Sequence, residues 1–176
     1  MSSTIDASTF ILRDEAPEDT DAVYAVNAAA FPSEAEAGLV DALRKEAQPV
    51  ISLVADSPAG IVGHILFTPV TLSGNEDLAL MGLAPMAIAP AYQRQGIGGR
   101  LITAGLEACR EQGALGCVVL GHPEYYPRFG FDPSVRFGIR CEFDVPEEVF
   151  MVQELVPGAL QGVGGTIHYH PLFSSV

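Results

Sequence analysis

The spacing of apolar positions changes several times along this chain, and each change marks an element. Residues 10–13 are a short strand candidate. Pro17 stands where the first turn of a helix accepts a residue without an N–H, and Glu18, Asp19 and Asp21 follow as acids near the positive helix end. Val23, Val26 and Ala30 share one face of that helix, which ends near Phe31 and Pro32. A second helix is expected from Ser33, because Ser33 and Glu36 have capping-box spacing and Leu39, Val40, Leu43 and Ala47 form a buried stripe. After Pro49 the pattern becomes that of strands. Residues 50–55 and 60–70 are β-rich runs parted by Asp56-Ser57-Pro58-Ala59-Gly60, a turn by composition, and residues 78–89 make a third run. Helical spacing returns with Ile97, Leu101, Ile102, Leu106 and Cys109 on one face, and Gly113 stops it. Residues 117–120 are wholly apolar, as in a strand covered on both faces. Beyond Pro133 the pattern is less regular, with strand candidates at 135–141 and 165–169.

Helices, strands, a glycine-rich turn into a helix and another strand together predict a mixed α/β domain. No repeat, low-complexity tract or linker divides the 176 residues, so one domain is expected over 1–176, with a core at about 10–145 and a C-terminal extension at about 146–176. Apolar residues make up 48% and charged ones 18%, a balance that favours a packed core over disorder. No apolar run approaches the roughly 20 residues that span a bilayer. Residues 1–10 lack the basic and apolar blocks of a signal peptide, so a cytoplasmic protein without a membrane partner is expected. Cys109, Cys117 and Cys141 form no Cys-x-x-Cys pair and read as small apolar residues in a reducing compartment, with no metal expected.

Charge narrows the chemistry. Twenty-two acids against nine bases give a net charge of −13, a field that repels nucleic acid. It also opposes any anionic coenzyme. A phosphate site here must therefore be made locally, from backbone amides and a few of the eight arginines.

One stretch can make such a site. A strand candidate ends at Pro90, Gln93-Arg94-Gln95-Gly96-Ile97-Gly98-Gly99 follows, and a helix begins within the glycines. The first turn of a helix leaves about four N–H groups unpartnered, and with the helix dipole they attract anions. Side chains at Gly96, Gly98 and Gly99 would keep a phosphate from those amides, and Arg94 adds charge at the rim. On the glycines alone, a turn that merely packs a helix on a strand remains an alternative. Two other phosphate motifs are excluded. No Gly-Lys-Ser/Thr is present, and the third glycine of a dinucleotide fingerprint would fall on Leu101.

Gln93-x-x-Gly96-x-Gly98 resembles the Q/R-x-x-G-x-G/A signature of the GNAT acetyltransferases, with a strand before it and an amphipathic helix after it. Tyr126-Pro127-Arg128-Phe129-Gly130-Phe131 is similar to that family's Y-x-x-x-G-F element, after the next strand. Phe31-Pro32-Ser33, Val119-Leu120-Gly121, Tyr125-Tyr126 and Val156-Pro157-Gly158-Ala159-Leu160 further resemble a bacterial subgroup of that superfamily, so the likeness covers most of the chain.

The resemblance implies a GNAT-like central, mostly antiparallel twisted sheet flanked by helices, in which a splayed pair of parallel strands holds acetyl-CoA. It implies that the backbone of Met86, Ala87 and Ile88 pairs with the pantetheine arm, and that Pro85 sits at a bulge. The amides of Gln95, Gly96, Gly98 and Gly99, with Arg94, would hold the pyrophosphate. Acetyl-CoA would be the co-substrate, a primary amine the acceptor, and Tyr126 the general acid for the departing thiolate. Many relatives carry an asparagine several residues before this tyrosine, whereas this chain reads Gly121-His122-Pro123-Glu124-Tyr125. Some relatives place a glutamate base in the strand before the loop, but residues 78–89 contain none. His122 is then the first choice of base, with Glu34, Glu36, His64, Glu124 or a water chain as the others. The reading competes with a CoA-binding regulatory module without turnover, and the resemblance leaves a homodimer open.

Overall fold

The computed structural model describes residues 9–175. Most of the N-terminal stretch read above for a signal peptide, residues 1–8, lies outside them. The chain runs β1 (Ile11–Asp14), α1 (Thr20–Ala30), α2 (Ala35–Glu46), β2 (Ile51–Ser57), β3 (Gly60–Leu72), β4 (Leu80–Ile88), α3 (Ile97–Glu111), β5 (Gly116–Leu120), β6 (Asp132–Pro133), β7 (Ile139–Cys141), β8 (Phe150–Glu154) and β9 (Gly165–His168). The main sheet has the order β1-β2-β3-β4-β5-β8-β6. Every pair along it is antiparallel except β4–β5. The strand β9 runs beside the far end of β3 and pairs in parallel with β7. This is the mixed, mostly antiparallel sheet that the motifs implied.

The two faces of β3 show how the sheet is covered. Phe67 presses on Gly105 of α3, and Gly63 faces Ile97 and Leu101 of the same helix. The predicted stripe of Ile97, Leu101, Ile102, Leu106 and Cys109 is buried there, and Gly113 ends the helix region at φ +97°. The alternate residue Leu66 turns to the other face, into a cluster with Val23, Leu39, Val40 and Leu43 from α1 and α2. Farther along that face the cover comes from the C-terminal third, through Ile139, Leu160, Ile167 and Tyr169 against Val70, Leu80 and Val118.

Two local expectations are corrected. Ser33 and Glu36 do not form a capping box. The helix α2 starts at Ala35, the Ser33 Oγ accepts a bond from the Ala35 N–H at 3.2 Å, and one carboxylate oxygen of Glu36 is buried without a partner. The strand β8 falls in a region that gave no strand signal, yet it lies in the sheet beside β5, with Phe150, Met151 and Val152 buried.

Candidate active site

The site is built where β4 and β5 part company. Their parallel register runs from Leu80 opposite Gly116 to Leu83 opposite Val119. The strand β5 then ends at Leu120, while β4 continues to Ile88 paired only with β3. On that β3 side Ile65 lies opposite Met86 and Phe67 opposite Leu83, so Leu66 faces two residues, Ala84 and Pro85. That is a β-bulge at the proline, which has no N–H to lose from the ladder. Past the bulge, Met86, Ala87 and Ile88 keep one backbone edge facing the gap. The result is a fork with an open inner edge.

At its end the chain turns through Pro90–Tyr92 into α3. Arg94 and Gly96 both take left-handed backbone, at φ +64° and +85°. Glycine adopts that conformation freely, whereas arginine does so at a cost, which the surrounding turn must hold in place. The Gln93 amide donates to the Ile88 carbonyl at 3.0 Å and ties the turn to the strand. The N–H of Arg100 reaches the Gly96 carbonyl at 3.2 Å, so the amides before it lie in the unpartnered first turn. A groove of about 480 Å³ lies over them, lined by Met86, Ile88, Arg94, Gly98, Tyr125 and Arg128 among others. A neighbouring cavity of about 670 Å³ shares Gly96 and Gly99 and runs along Arg100 and Thr103 to Phe129 and Gln153.

Local charge here opposes the global sign. Arg13, Arg44, Arg110 and Arg136 are each committed to a carboxylate. Arg94, Arg100 and Arg128 line the groove or the cavity and form no ion pair among the described residues. Three guanidiniums without a carboxylate partner, Arg100 over the Phe10 ring at 4.6 Å and Arg128 over the Tyr125 ring at 5.9 Å, and the first-turn amides fit a polyphosphate. No group of three or more His, Cys, Asp or Glu able to hold a metal occurs among the described residues.

Comparison with known proteins accords with this geometry. Residues 48–133 match the acetyltransferase (GNAT) domain. The chain is 37% identical over 165 residues to the uncharacterized N-acetyltransferase YhbS of Escherichia coli K12, covering 93% of this chain and 98% of that protein. The chain belongs to the GNAT acetyltransferase family. It is also 41% identical over 159 residues to the uncharacterized N-acetyltransferase YjhQ of the same organism, covering 86% of this chain and 87% of that one. The crystal structure of E. coli YhbS in complex with CoA superposes with a TM-score of 0.89 at 35% identity, over 94% of this chain and 92% of the other. A GNAT acetyltransferase from Brucella melitensis in complex with acetyl-CoA superposes at 0.76 and 35% identity, over 93% and 97%.

Within this GNAT frame the expected residues fall as follows. Met86, Ile88, Arg94, Gly96, Gly98 and Gly99 line one groove. Gln95 is exposed in the turn, where its side chain bonds the Ala91 carbonyl at 3.4 Å. Ala87 keeps its place on the strand, but its side chain is buried on the opposite face. Tyr126 begins a short 3-10 turn, Tyr126–Phe129, and is 8% exposed. Its ring packs edge-on to Tyr125 and Phe131, at 5.2 and 5.8 Å between centroids. Burial, with Tyr125 and Cys117 nearby, pushes its phenol up to about 12. His122 is exposed after β5, and its carbonyl accepts the N–H groups of Tyr125 and Tyr126. Glu34 and Glu124 are exposed as well.

His64 is different. It is wholly buried opposite Ala87, between Asn27 Nδ2 at 3.1 Å and Ser52 Oγ at 2.8 Å. Asn27 Nδ2 also donates to the Val23 carbonyl, which fixes the amide orientation and makes His64 Nδ1 an acceptor. The Nε2–H then donates to Ser52, whose hydroxyl donates to Glu15 at 2.7 Å, and Glu15 is held by Arg44. Burial above all, with Arg44, drives the His64 pKa down to about 3. Both nitrogens are engaged, so His64 is a neutral structural histidine and not the base.

Tyr125 and Arg128 are groove residues that the sequence reading did not single out. The signal available was the place of Arg128 inside the Y-x-x-x-G-F segment and of Tyr125 in the Tyr125-Tyr126 pair just before it.

Proposed function

We propose that the protein transfers the acetyl group of acetyl-CoA to a primary amine of a small-molecule or protein acceptor. The observation that carries this reading is the fork at Leu83 and Val119, whose free β4 edge leads directly to the glycine-lined amides of α3. Relatives of this family, the YhbS of E. coli and the B. melitensis enzyme, have structures with CoA and acetyl-CoA. The coenzyme supplies an acyl thioester. The backbone of Met86, Ala87 and Ile88 aligns the pantetheine arm as a strand, and the amides of Gln95, Gly96, Gly98 and Gly99 with Arg94 hold the pyrophosphate.

The acceptor nitrogen forms a bond to the acetyl carbon, the carbon–sulfur bond breaks, and the sulfur leaves as a thiolate. Strand amides beside Ala87 and Ile88 stabilise the developing oxyanion, as preorganised donors do. Tyr126, whose ring packs beneath the groove and lines neither cavity, is the residue assigned to donate its hydroxyl proton toward the sulfur. Its raised pKa keeps it a donor throughout the neutral range. His122 takes the proton that the amine loses. Amines with a solution pKa of about 10 must shed a proton before attack, so a base or a desolvating site is required.

Free-thiol detection while primary amines are screened with acetyl-CoA tests the whole reading. Thiol release that needs an amine is the expected result. Tight CoA binding without release for any amine would leave a binding module in place of an enzyme. With a reactive amine, Tyr126→Phe is expected to lower turnover about tenfold or more while CoA affinity stays within about twofold. Unchanged turnover would remove Tyr126 from the chemistry.

A further inference from the structure

Two adjacent tyrosines enter the 3-10 turn and diverge. Tyr126 goes down into the core, against Gly121, where a Cβ would overlap its ring. Tyr125 stays half-buried, with its ring edge-on to both Tyr126 and Phe129 at 5.2 Å. Its hydroxyl reaches the start of α3. It lies 3.2 Å from the point that a Cβ on Gly98 would occupy, and Met86 Cε lies 3.3 Å from that same point. Phe129 meets Gly99 in the same manner, its Cζ 3.1 Å from the corresponding point. Bare glycines at these positions therefore serve two purposes. They expose amides, and they let an opposing wall come within contact distance.

We propose that Tyr125 and Arg128 form the second wall of the coenzyme phosphate site, with the Tyr125 hydroxyl donating to a phosphate oxygen where the pantetheine arm turns onto the α3 amides. This rests on the coenzyme reading above. The position follows from the groove itself, since a ligand running from Met86 and Ile88 to Gly98 and Gly99 passes the Tyr125 hydroxyl. That hydroxyl makes no hydrogen bond among the described residues, so its donor is available. Arg128 lines the groove without an ion pair, and its guanidinium stands 5.9 Å from the Tyr125 ring centre. Burial raises the Tyr125 phenol although Arg128 opposes the shift, which keeps the hydroxyl protonated at neutral pH. The two tyrosines thus divide the work, Tyr125 for coenzyme affinity and Tyr126 for turnover.

Calorimetric titration of CoA into the full chain tests this directly. Tyr125→Phe keeps the ring and its packing, so its melting temperature should stay within about 2 °C of wild type. Loss of one bond to a charged oxygen should weaken CoA binding about tenfold. Tyr126→Phe should leave the CoA affinity within about twofold. Arg128→Gln should weaken binding and flatten its dependence on salt. The proposal is overturned if Tyr125→Phe binds CoA as wild type does, or if Tyr126→Phe is the variant that loses affinity. Absence of CoA binding by wild type at millimolar ligand would instead bring down the coenzyme reading, and this proposal with it.

Discussion

A single histidine shows how residue chemistry becomes a property of the whole chain. His64 takes up a proton only near pH 3 when folded, whereas an exposed histidine in the unfolded chain does so near 6.5. Between those values the unfolded chain binds the additional proton. The stability tied to His64 is therefore complete above about pH 6.5 and is lost as the pH falls toward 3. Wild type should lose about 2 kcal/mol between pH 7.5 and pH 5 from this group. A His64→Gln variant, weaker at neutral pH, should show a shallower decline, and urea midpoints across that range measure it. An unchanged slope would mean that His64 titrates normally in the folded chain. The sequence already favoured a core histidine, because His64 sits within an apolar run. Its partners were not legible, since Asn27 is 37 positions away and Ser52 is 12, and only the fold brings them together. Tyr125 and Tyr126 pose a similar difficulty. The motif identifies one of them, but a short 3-10 turn sets which ring faces the groove, and no hydrophobic period reports that.

Helices and strands with a clear period were the readable elements. The stripe of α3, the turn between β2 and β3 and the strand leading to the glycines all appear where the pattern placed them. The strand β8 escaped because its apolar run, Val149 to Val152, follows Pro146-Glu147-Glu148 in an irregular stretch and lacks the alternation that marks a half-exposed strand. Glycine within α3 also has a readable and an unreadable side. Gly105 costs helix propensity, which the sequence shows, but the reason for it is the Phe67 ring lying where its side chain would be. Gly105→Ala should therefore destabilise the protein by about 1–3 kcal/mol, since overpacking against a fully buried ring outweighs the gain of about 1 kcal/mol in propensity. Denaturant titration decides it, and a stabilised variant would show that α3 can lift off β3 cheaply.

Across the whole molecule, the groove depends on a wall that the C-terminal third completes. The strand β5 is flanked by β4 over four residues and by β8 over its full length. A chain cut after Val145 loses β8 and leaves β5 with an open apolar edge, a template for aggregation. Such a chain should show no cooperative thermal transition by calorimetry, and a normal one would mean that β8 is dispensable. The global charge of −13 was plain in the composition and Arg94 was legible as a cation at the rim, but the part of Arg100 and Arg128 in the local reversal was not, because only the folded chain brings them to the site without carboxylates. The order of strands also has a consequence for biosynthesis. Every glycine and arginine from Arg94 to Arg100 is synthesised well before residue 150, whereas the partner that pins β5 begins only there. The nascent chain must then pass through an interval with its signature motif complete and one half of its fork unsecured. Ribosome-bound chains arrested before and after Glu154 has emerged should differ sharply in capture by CoA resin, so that a strand made late in the chain acts as the latch for the first ligand bound.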